Sequence, residues 1–215
     1  MSAIQPVGFL LSLSADWIVL RASDNATITL GLTHDIIGHP ARDFLSADLI
    51  HEIRGRLQIA AGTGIVERLF DCEIKASSPR YDISVHVSGI EIVLEFEKAI
   101  GHVRTPLSIL RSMMARVERQ SSSQAMYNEA ARQVRALTGF DRVMVYRFDE
   151  NGDGDVVAEA AAGQLTPFIG LRYPASDIPS QARALYKRNF LRIIVDVDAQ
   201  AVAVRPTLSP EGTHP

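Results

Sequence analysis

The alternating stretch DISVHVSGIEIVLEFE, residues 82–97, constrains the fold more than any other feature of this chain. Apolar residues occupy every second position on both sides of a Ser88-Gly89 turn: Ile83, Val85, Val87, Ile92, Leu94 and Phe96. Alternation with a period of two is typical of strands with one buried face, and a tight turn between two such runs predicts an antiparallel hairpin. Residues 9–30 add two short strands around an Ala15-Asp16 turn. Residues 1–100 are therefore predicted to form a small α+β domain.

The apolar period changes near Thr105 and becomes helical. Thr105 suits a helix N-cap and Pro106 suits the first helical position. One face of this helix, 105–120, carries Leu107, Leu110, Met114 and Val117. The serine run 121–123 ends it and can cap a second helix, which stops at Gly139.

Strand patterns return after the second helix. RVMVYRF (142–148) and VVAEAAAG (156–163) predict another antiparallel hairpin around a glycine-rich turn. A helix is predicted after Pro179, followed by a strand in LRIIVDV (191–197). Residues 101–215 are thus predicted to form a second α+β domain, in which helices precede an antiparallel sheet.

Composition excludes several classes of function. The 215 residues are 47% hydrophobic and carry a net charge of −3, so there is no basic surface for nucleic acid or anionic membranes. No run is long enough to span a bilayer, and no charged segment precedes the apolar run GFLLSL as it would in a signal peptide. The lone Cys72 cannot form an intrachain disulfide and is expected to be a small buried residue. A cytoplasmic location is expected.

The acidic segment DENGDGD (149–155) matches the first half of an EF-hand loop. Position twelve of such a loop would be Ala160 instead of a bidentate Glu, and the flanking residues are predicted strands. A hairpin turn is the favoured interpretation, because Asn, Asp and Gly suit turns for backbone reasons. The sequence has no zinc-type histidine spacing, nucleophile elbow or phosphate-binding glycine loop, so we do not expect an enzyme.

The segment LRYPASDIPSQARALYKRN holds Asp177 between Pro174 and Pro179. Proline fixes its own φ and restricts the preceding residue, so this segment has few backbone choices. Two interpretations are open: Asp177 or Ser176 caps the following helix with Pro179 in its first turn, or the stiff frame positions a binding group. Arg183 and Arg192 are either part of a solvated basic face or partners for carboxylates.

These residues also resemble a family. YPASDIPSQARALY, preceded by FDRVMVYRFDENGDGDVVAEA and FIGLRYP, resembles the chromophore-binding GAF domain of bacteriophytochromes, and AIQPVGFLLSLSADWIVLRASDNA resembles their N-terminal PAS domain. The likeness covers most of residues 3–206. It implies an α+β fold in which a PAS-like domain (1–100) is followed by a GAF-like domain (101–215), the latter expected to be incomplete at its C-terminal end.

The resemblance implies a site for biliverdin, a linear tetrapyrrole. In the family, the main-chain carbonyl of the aspartate in this motif faces the pyrrole nitrogens, and the resemblance assigns that role to Asp177 here. Tyr146 and Tyr173 would surround the ring that isomerises, and Ile178 and Pro179 would pack on the chromophore. Arg192 would pair with a propionate.

Two departures from the family pattern bear on how the chromophore is held. Family members carry a cysteine well before the Ile-Gln-Pro stretch, whereas only three residues precede Ile4 here, and Pro6-Val7-Gly8 replaces the usual Pro-His-Gly. Cys72 lies elsewhere in the PAS-like domain. Biliverdin is therefore expected to bind non-covalently if it binds.

The resemblance implies the photosensory portion of a red/far-red light receptor that passes a light-induced change to an output domain. The alternative is a bilin-free PAS–GAF module that dimerises or regulates a partner. In either case the helix at 105–120 is expected to contribute to a homodimer, although its apolar face could instead cover its own sheet.

Overall fold

The computed structural model describes residues 3–60, 65–75, 79–101, 107–187 and 191–206. These form two compact units. The first contains the described residues up to 101 together with 191–206, and the second contains 107–187. Both units combine helices with antiparallel sheet, so the predicted α+β fold class is confirmed.

The first unit is built on a seven-stranded sheet. Its strands are β1 (Ala3–Ile4), β2 (Gly8–Leu13), β3 (Val19–Ser23), β4 (Glu67–Glu73), β5 (Arg80–Ser88), β6 (Glu91–Lys98) and β10 (Val202–Arg205). The spatial order is β1-β10-β3-β2-β6-β5-β4, with antiparallel pairing throughout. Two helices accompany it, α1 (Ala26–Thr29) and α2 (Ala47–Ala60), with a short 3₁₀ turn at Ala41–Asp43.

The predicted hairpin is present as β5 and β6. Ile83 pairs with Phe96 and Val85 with Leu94, and all four side chains are buried. The alternation therefore places one face of the sheet against the core, as the period of two requires. The Phe96 ring stacks on Phe9 of β2 with centroids 4.4 Å apart.

The C-terminal part of the chain corrects the sequence analysis. Residues 191–197, predicted as a strand, are not in a strand, and Gln5 bonds to them instead. Its Nε2 donates to the Ile193 carbonyl (2.8 Å), and its Oε1 accepts from the Val195 N–H (2.7 Å). The strand in this region is β10, which pairs with β1 and β3. Residues predicted to belong to the second domain thus complete the sheet of the first unit.

The second unit begins with two helices, α3 (Leu107–Glu118) and α4 (Ser123–Thr138). The predicted start of α3 at Thr105 and Pro106 lies outside the described residues. The Ser122 hydroxyl caps α4 by accepting from the Ala125 N–H, and Gly139 ends it in the left-handed conformation. The two helices pack together, and α4 covers the sheet.

The sheet of the second unit has three antiparallel strands in the order β7-β8-β9. These are β7 (Arg142–Phe148), β8 (Gly154–Ala161) and β9 (Arg172–Tyr173), and α5 (Ser180–Tyr186) follows. The predicted β7–β8 hairpin is confirmed. Among the described residues, no helix is both long and apolar enough to cross a membrane.

Candidate functional site

The acidic turn between β7 and β8 is held together by hydrogen bonds within the turn and by the side chain of Arg172. Asp149 accepts the N–H groups of Asn151 (2.9 Å) and Asp153 (3.1 Å) through Oδ1, as side chains do in tight Asx turns. The Arg172 guanidinium of β9 binds the carboxylates of Asp149, Asp153 and Asp155. Within the described residues, no group of His, Cys, Asp or Glu side chains could hold a metal ion. The hairpin-turn interpretation fits this arrangement.

The proline-framed loop, residues 174–179, is tied down at several points. The Asp177 N–H donates to the Pro174 carbonyl (3.0 Å), which closes a turn inside the loop. Asp153 accepts the Ala175 N–H at 2.9 Å. Arg183 donates through Nη1 to the Ala175 carbonyl at 2.9 Å and also to the Ile178 carbonyl.

The capping interpretation of the loop is wrong. Helix α5 begins at Ser180 with Pro179 at the N-cap position, and no side chain bonds there. Neither Ser176 nor Asp177 therefore caps the helix, and Pro179 precedes the first helical residue instead of occupying the first turn. The Asp177 side chain is exposed, with the Ser176 hydroxyl 3.5 Å from its Oδ1.

Two tyrosines predicted for the site come together beside the loop. The ring centroids of Tyr146 on β7 and Tyr173 on β9 are 6.1 Å apart, and Phe148 lies edge-on to Tyr146 at 5.1 Å. Burial, the nearby Asp177 carboxylate and Tyr173 raise the pKa of the Tyr146 phenol. Tyr146, Tyr173 and Asp177 thus form one cluster, in which the raised pKa keeps the Tyr146 phenol protonated at neutral pH.

The other predicted site residues are less concentrated. Ile178 and Pro179 lie in the loop itself, Ile178 half-buried and Pro179 exposed. Arg192 is also exposed and belongs to the first unit. The structure therefore groups five of the six predicted residues in one unit and places Arg192 in the other.

A second charged cluster, also in the second unit, was not predicted from the sequence. Glu159, whose side chain is only 6% exposed, accepts the N–H groups of Phe168 (2.7 Å) and Ile169 (3.0 Å) and pairs with Arg142 at 2.9 Å. The Arg142 guanidinium also lies 3.8 Å from the centroid of the Phe168 ring. This cluster fixes the segment that leads into β9. The spacing of these residues along the chain does not indicate that they form a cluster.

Comparison with known proteins agrees with this architecture. Residues 1–99 match a family model described as a PAS fold. The chain is 32% identical over 212 residues to a bacteriophytochrome of Pseudomonas aeruginosa and 33% identical over 218 residues to cyanobacterial phytochrome B of Nostoc sp.. These alignments cover 97% and 99% of this chain. The chromophore-binding domain of the Stigmatella aurantiaca bacteriophytochrome in the Pr state matches with a TM-score of 0.78 at 32% identity, covering 94% of this chain and 69% of that one.

The chain belongs to the phytochrome family. It spans 28–29% of the length of the two curated phytochromes it matches. The structural match covers nearly the whole of this phytochrome chain and lies within the chromophore-binding domain of the Stigmatella aurantiaca protein.

Proposed function

We propose that this phytochrome chain is the photosensory portion of a red/far-red light receptor, in which biliverdin absorbs light and the change passes to an output domain. It acts as a cytoplasmic receptor and not as an enzyme. The observation that carries the proposal is the fixed loop at 174–179 next to Tyr146 and Tyr173.

The loop suits a ligand that presents several N–H groups in one plane, as a protonated tetrapyrrole does. Three carbonyls of the loop already accept hydrogen bonds within the second unit. The Pro174 carbonyl accepts from the Asp177 N–H, and those of Ala175 and Ile178 accept from Arg183. We assign the carbonyl of Asp177, which lies among them, to the pyrrole nitrogens. A carbonyl already held in place binds with little further loss of conformational freedom.

The remaining predicted residues supply the rest of the site in this proposal. Tyr146 and Tyr173 surround the isomerising ring, while Ile178 and Pro179 pack on the chromophore. Arg192 pairs with a propionate, an interaction that a guanidinium makes through two parallel hydrogen bonds.

We further propose that biliverdin is held non-covalently. Cys72 on β4 is 7% exposed, and burial, together with Glu52 and Asp82, raises the pKa of its thiol to about 11. The thiolate is the nucleophilic form of cysteine, so this side chain is a poor point of attachment at neutral pH.

Absorbance spectroscopy tests both proposals. The chain is mixed with biliverdin, spectra are recorded after red and far-red illumination, and a zinc-stained denaturing gel reports attached bilin. We expect a red-shifted band, reversible photoconversion and no fluorescent protein band. A fluorescent band that is lost in Cys72→Ser would overturn non-covalent binding. A folded chain with no spectral response to excess biliverdin would instead favour the bilin-free PAS–GAF module.

The apolar face of α3 supports a homodimer in either case. Leu107, Leu110 and Met114 lie on one helical face and are 71%, 37% and 61% exposed. The idea that this face covers the unit's own sheet does not fit these exposures, and exposed apolar surface of this kind is typical of an interface. We propose that it meets the same face of a second copy.

Light scattering on charged variants tests the dimer. Leu110→Glu and Met114→Glu place a carboxylate on the proposed interface and should halve the measured mass. Ser112→Glu lies on the opposite side of α3 and should leave the mass unchanged. If the unaltered chain is dimeric and both interface variants keep its mass, α3 is not the contact surface.

A further inference from the structure

The proline-framed loop is held from two sides by side chains of opposite charge. Asp153 reaches it from the β7–β8 turn, and Arg183 reaches it from α5. Both contacts converge on Ala175, whose N–H donates to the Asp153 carboxylate and whose carbonyl accepts from Arg183. The peptide groups on both sides of Ala175 are therefore fixed.

Asp153 is itself oriented by its second oxygen. Its Oδ1 accepts the Ala175 N–H at 2.9 Å, while Oδ2 pairs with the Arg172 guanidinium at 3.1 Å. Arg172 also binds Asp149 and Asp155, so the carboxylate is held within a network anchored on two strands. Hydrogen bonds that involve ionised groups are shorter and stronger than neutral ones.

Arg183 contacts the loop at two points and the turn at a third. Its Nη1 donates to the carbonyls of Ala175 and Ile178, which bracket Ser176 and Asp177. Gly152 of the β7–β8 turn has a φ of +87°, and a Cβ at this position would lie 2.9 Å from the Arg183 Cζ. The guanidinium therefore fits over a position where a side chain would collide with it.

We propose that Asp153 and Arg183 are positioning residues that set the direction in which the Asp177 carbonyl faces the chromophore. This inference rests on the proposed bilin-binding function. The loop residues between the fixed points are Ser176 and Asp177, and the Asp177 N–H is itself bonded to the Pro174 carbonyl. With both flanking carbonyls tied to one planar guanidinium, the Asp177 peptide group has little freedom to turn.

We call the contacts of Asp153 and Arg183 with the loop the brace, and amide hydrogen exchange tests it without any ligand. In Asp153→Ala the Ala175 N–H loses its acceptor, and in Arg183→Gln the loop loses the Nη1 group that donates to both carbonyls, so we expect at least tenfold faster exchange at Ala175 in the first variant and at Asp177 in the second. Arg183→Lys should restore protection only in part, because a lysine ammonium keeps the charge but not the length and planar shape of the guanidinium. Arg132→Gln, which removes a surface arginine of α4, is the matched control and should leave both amides unchanged.

Biliverdin titration of the same variants tests the consequence for binding. We expect about tenfold weaker binding and a displaced absorption band in Asp153→Ala and Arg183→Gln, a smaller change in Arg183→Lys, and the original spectrum in Arg132→Gln. Far-UV circular dichroism confirms that each variant is folded. Unchanged exchange in both folded variants would overturn the brace, whatever biliverdin does.

Failure of the proposed bilin binding and failure of the proposed positioning role give different results. If the unaltered chain shows no response to biliverdin, the proposed function and the ligand part of this inference fall together, while the exchange data still decide whether the brace exists. If binding and spectrum are unaltered in variants whose loop exchanges faster, the brace exists but does not direct the carbonyl.

Discussion

Gly154 illustrates how a single residue without a side chain shapes the site. It begins β8 opposite Phe148 and lies against the ring of Tyr146. A Cβ at this position would be 2.0 Å from Tyr146 Cε1 and 2.1 Å from Cζ, far closer than atoms can approach. The glycine therefore allows the Tyr146 ring to lie against the strand, with its centroid 6.1 Å from that of Tyr173.

Gly154→Ala should consequently lower the free energy of unfolding by about 1–3 kcal/mol, the usual cost of adding a methyl group where there is no space. Urea unfolding measures the loss. Gly163→Ala, at a position with no atom near the new Cβ, is the control and should unfold close to the original midpoint. Equal midpoints for the two variants would contradict the close contact with Tyr146.

The individual site residues show what sequence reasoning can and cannot reach. Tyr146, Tyr173 and Asp177 were predicted through a family resemblance, and their chemical roles stay a prediction. The contacts that join them depend on strand register, which brings Gly154 opposite Phe148 and next to Tyr173. Tyr146 and Tyr173, which lie 27 positions apart in the chain, meet in this way without any local pattern to indicate it.

At the scale of elements, the β7–β8 hairpin and β9 are joined by the acidic turn and Arg172. Partial burial alone would raise the pKa of Asp149, but hydrogen bonds from Arg172 and from the N–H groups of Asn151 and Asp153 outweigh burial and lower it. The folded state thus favours the charged carboxylate more strongly than the unfolded state does.

A carboxyl group whose pKa is lower in the folded state than in the unfolded state stabilises the fold at pH values above its unfolded-state pKa, which is about 4. This stabilisation is lost as the pH falls through the folded-state pKa. Asp149→Asn should therefore be less stable than the original chain at pH 7, with a difference that shrinks below about pH 4. Urea unfolding at pH 7 and at pH 3 measures both. A difference that stays constant over this range would show that the charge of Asp149 does not stabilise the turn.

Elements with a strong period were predicted and those without one were not. The β5–β6 and β7–β8 hairpins follow from alternation around turns. Strand β4 and helix α2 carry mixed polar and apolar residues and were not predicted. The error at 191–197 has a physical reason: a short apolar run suits a strand, but here the side chain of Gln5 satisfies the Ile193 and Val195 backbone.

At the scale of the whole molecule, the first unit is assembled from two separate stretches of chain. Strand β10 lies between β1 and β3, and Val204 packs with Leu10 and Val93 on the face of the sheet away from the main core. Val204 is only 1% exposed. Residues near the C-terminal end are therefore part of the fold of the N-terminal domain.

Val204→Ala should destabilise the first unit by about 2 kcal/mol, because two buried methyl groups are lost and a cavity remains. Ala203→Ser changes the exposed neighbour on the same strand and should have little effect. Fluorescence of Trp17, which packs against the core of this unit, reports its unfolding in denaturant. An unchanged midpoint for Val204→Ala would mean that β10 is dispensable for the sheet.

The insertion of β10 also governs the order in which the chain can fold during synthesis. Strand β6 ends at Lys98 and β10 begins at Val202, so roughly a hundred residues are translated between them, which takes about 5–20 s at ordinary ribosome speeds. Throughout that interval the edge of β3 that pairs with β10 has no partner, and Leu10 and Val93 lack their contact with Val204. A newborn chain is thus most exposed to incorrect strand pairing while the ribosome is still making the second unit.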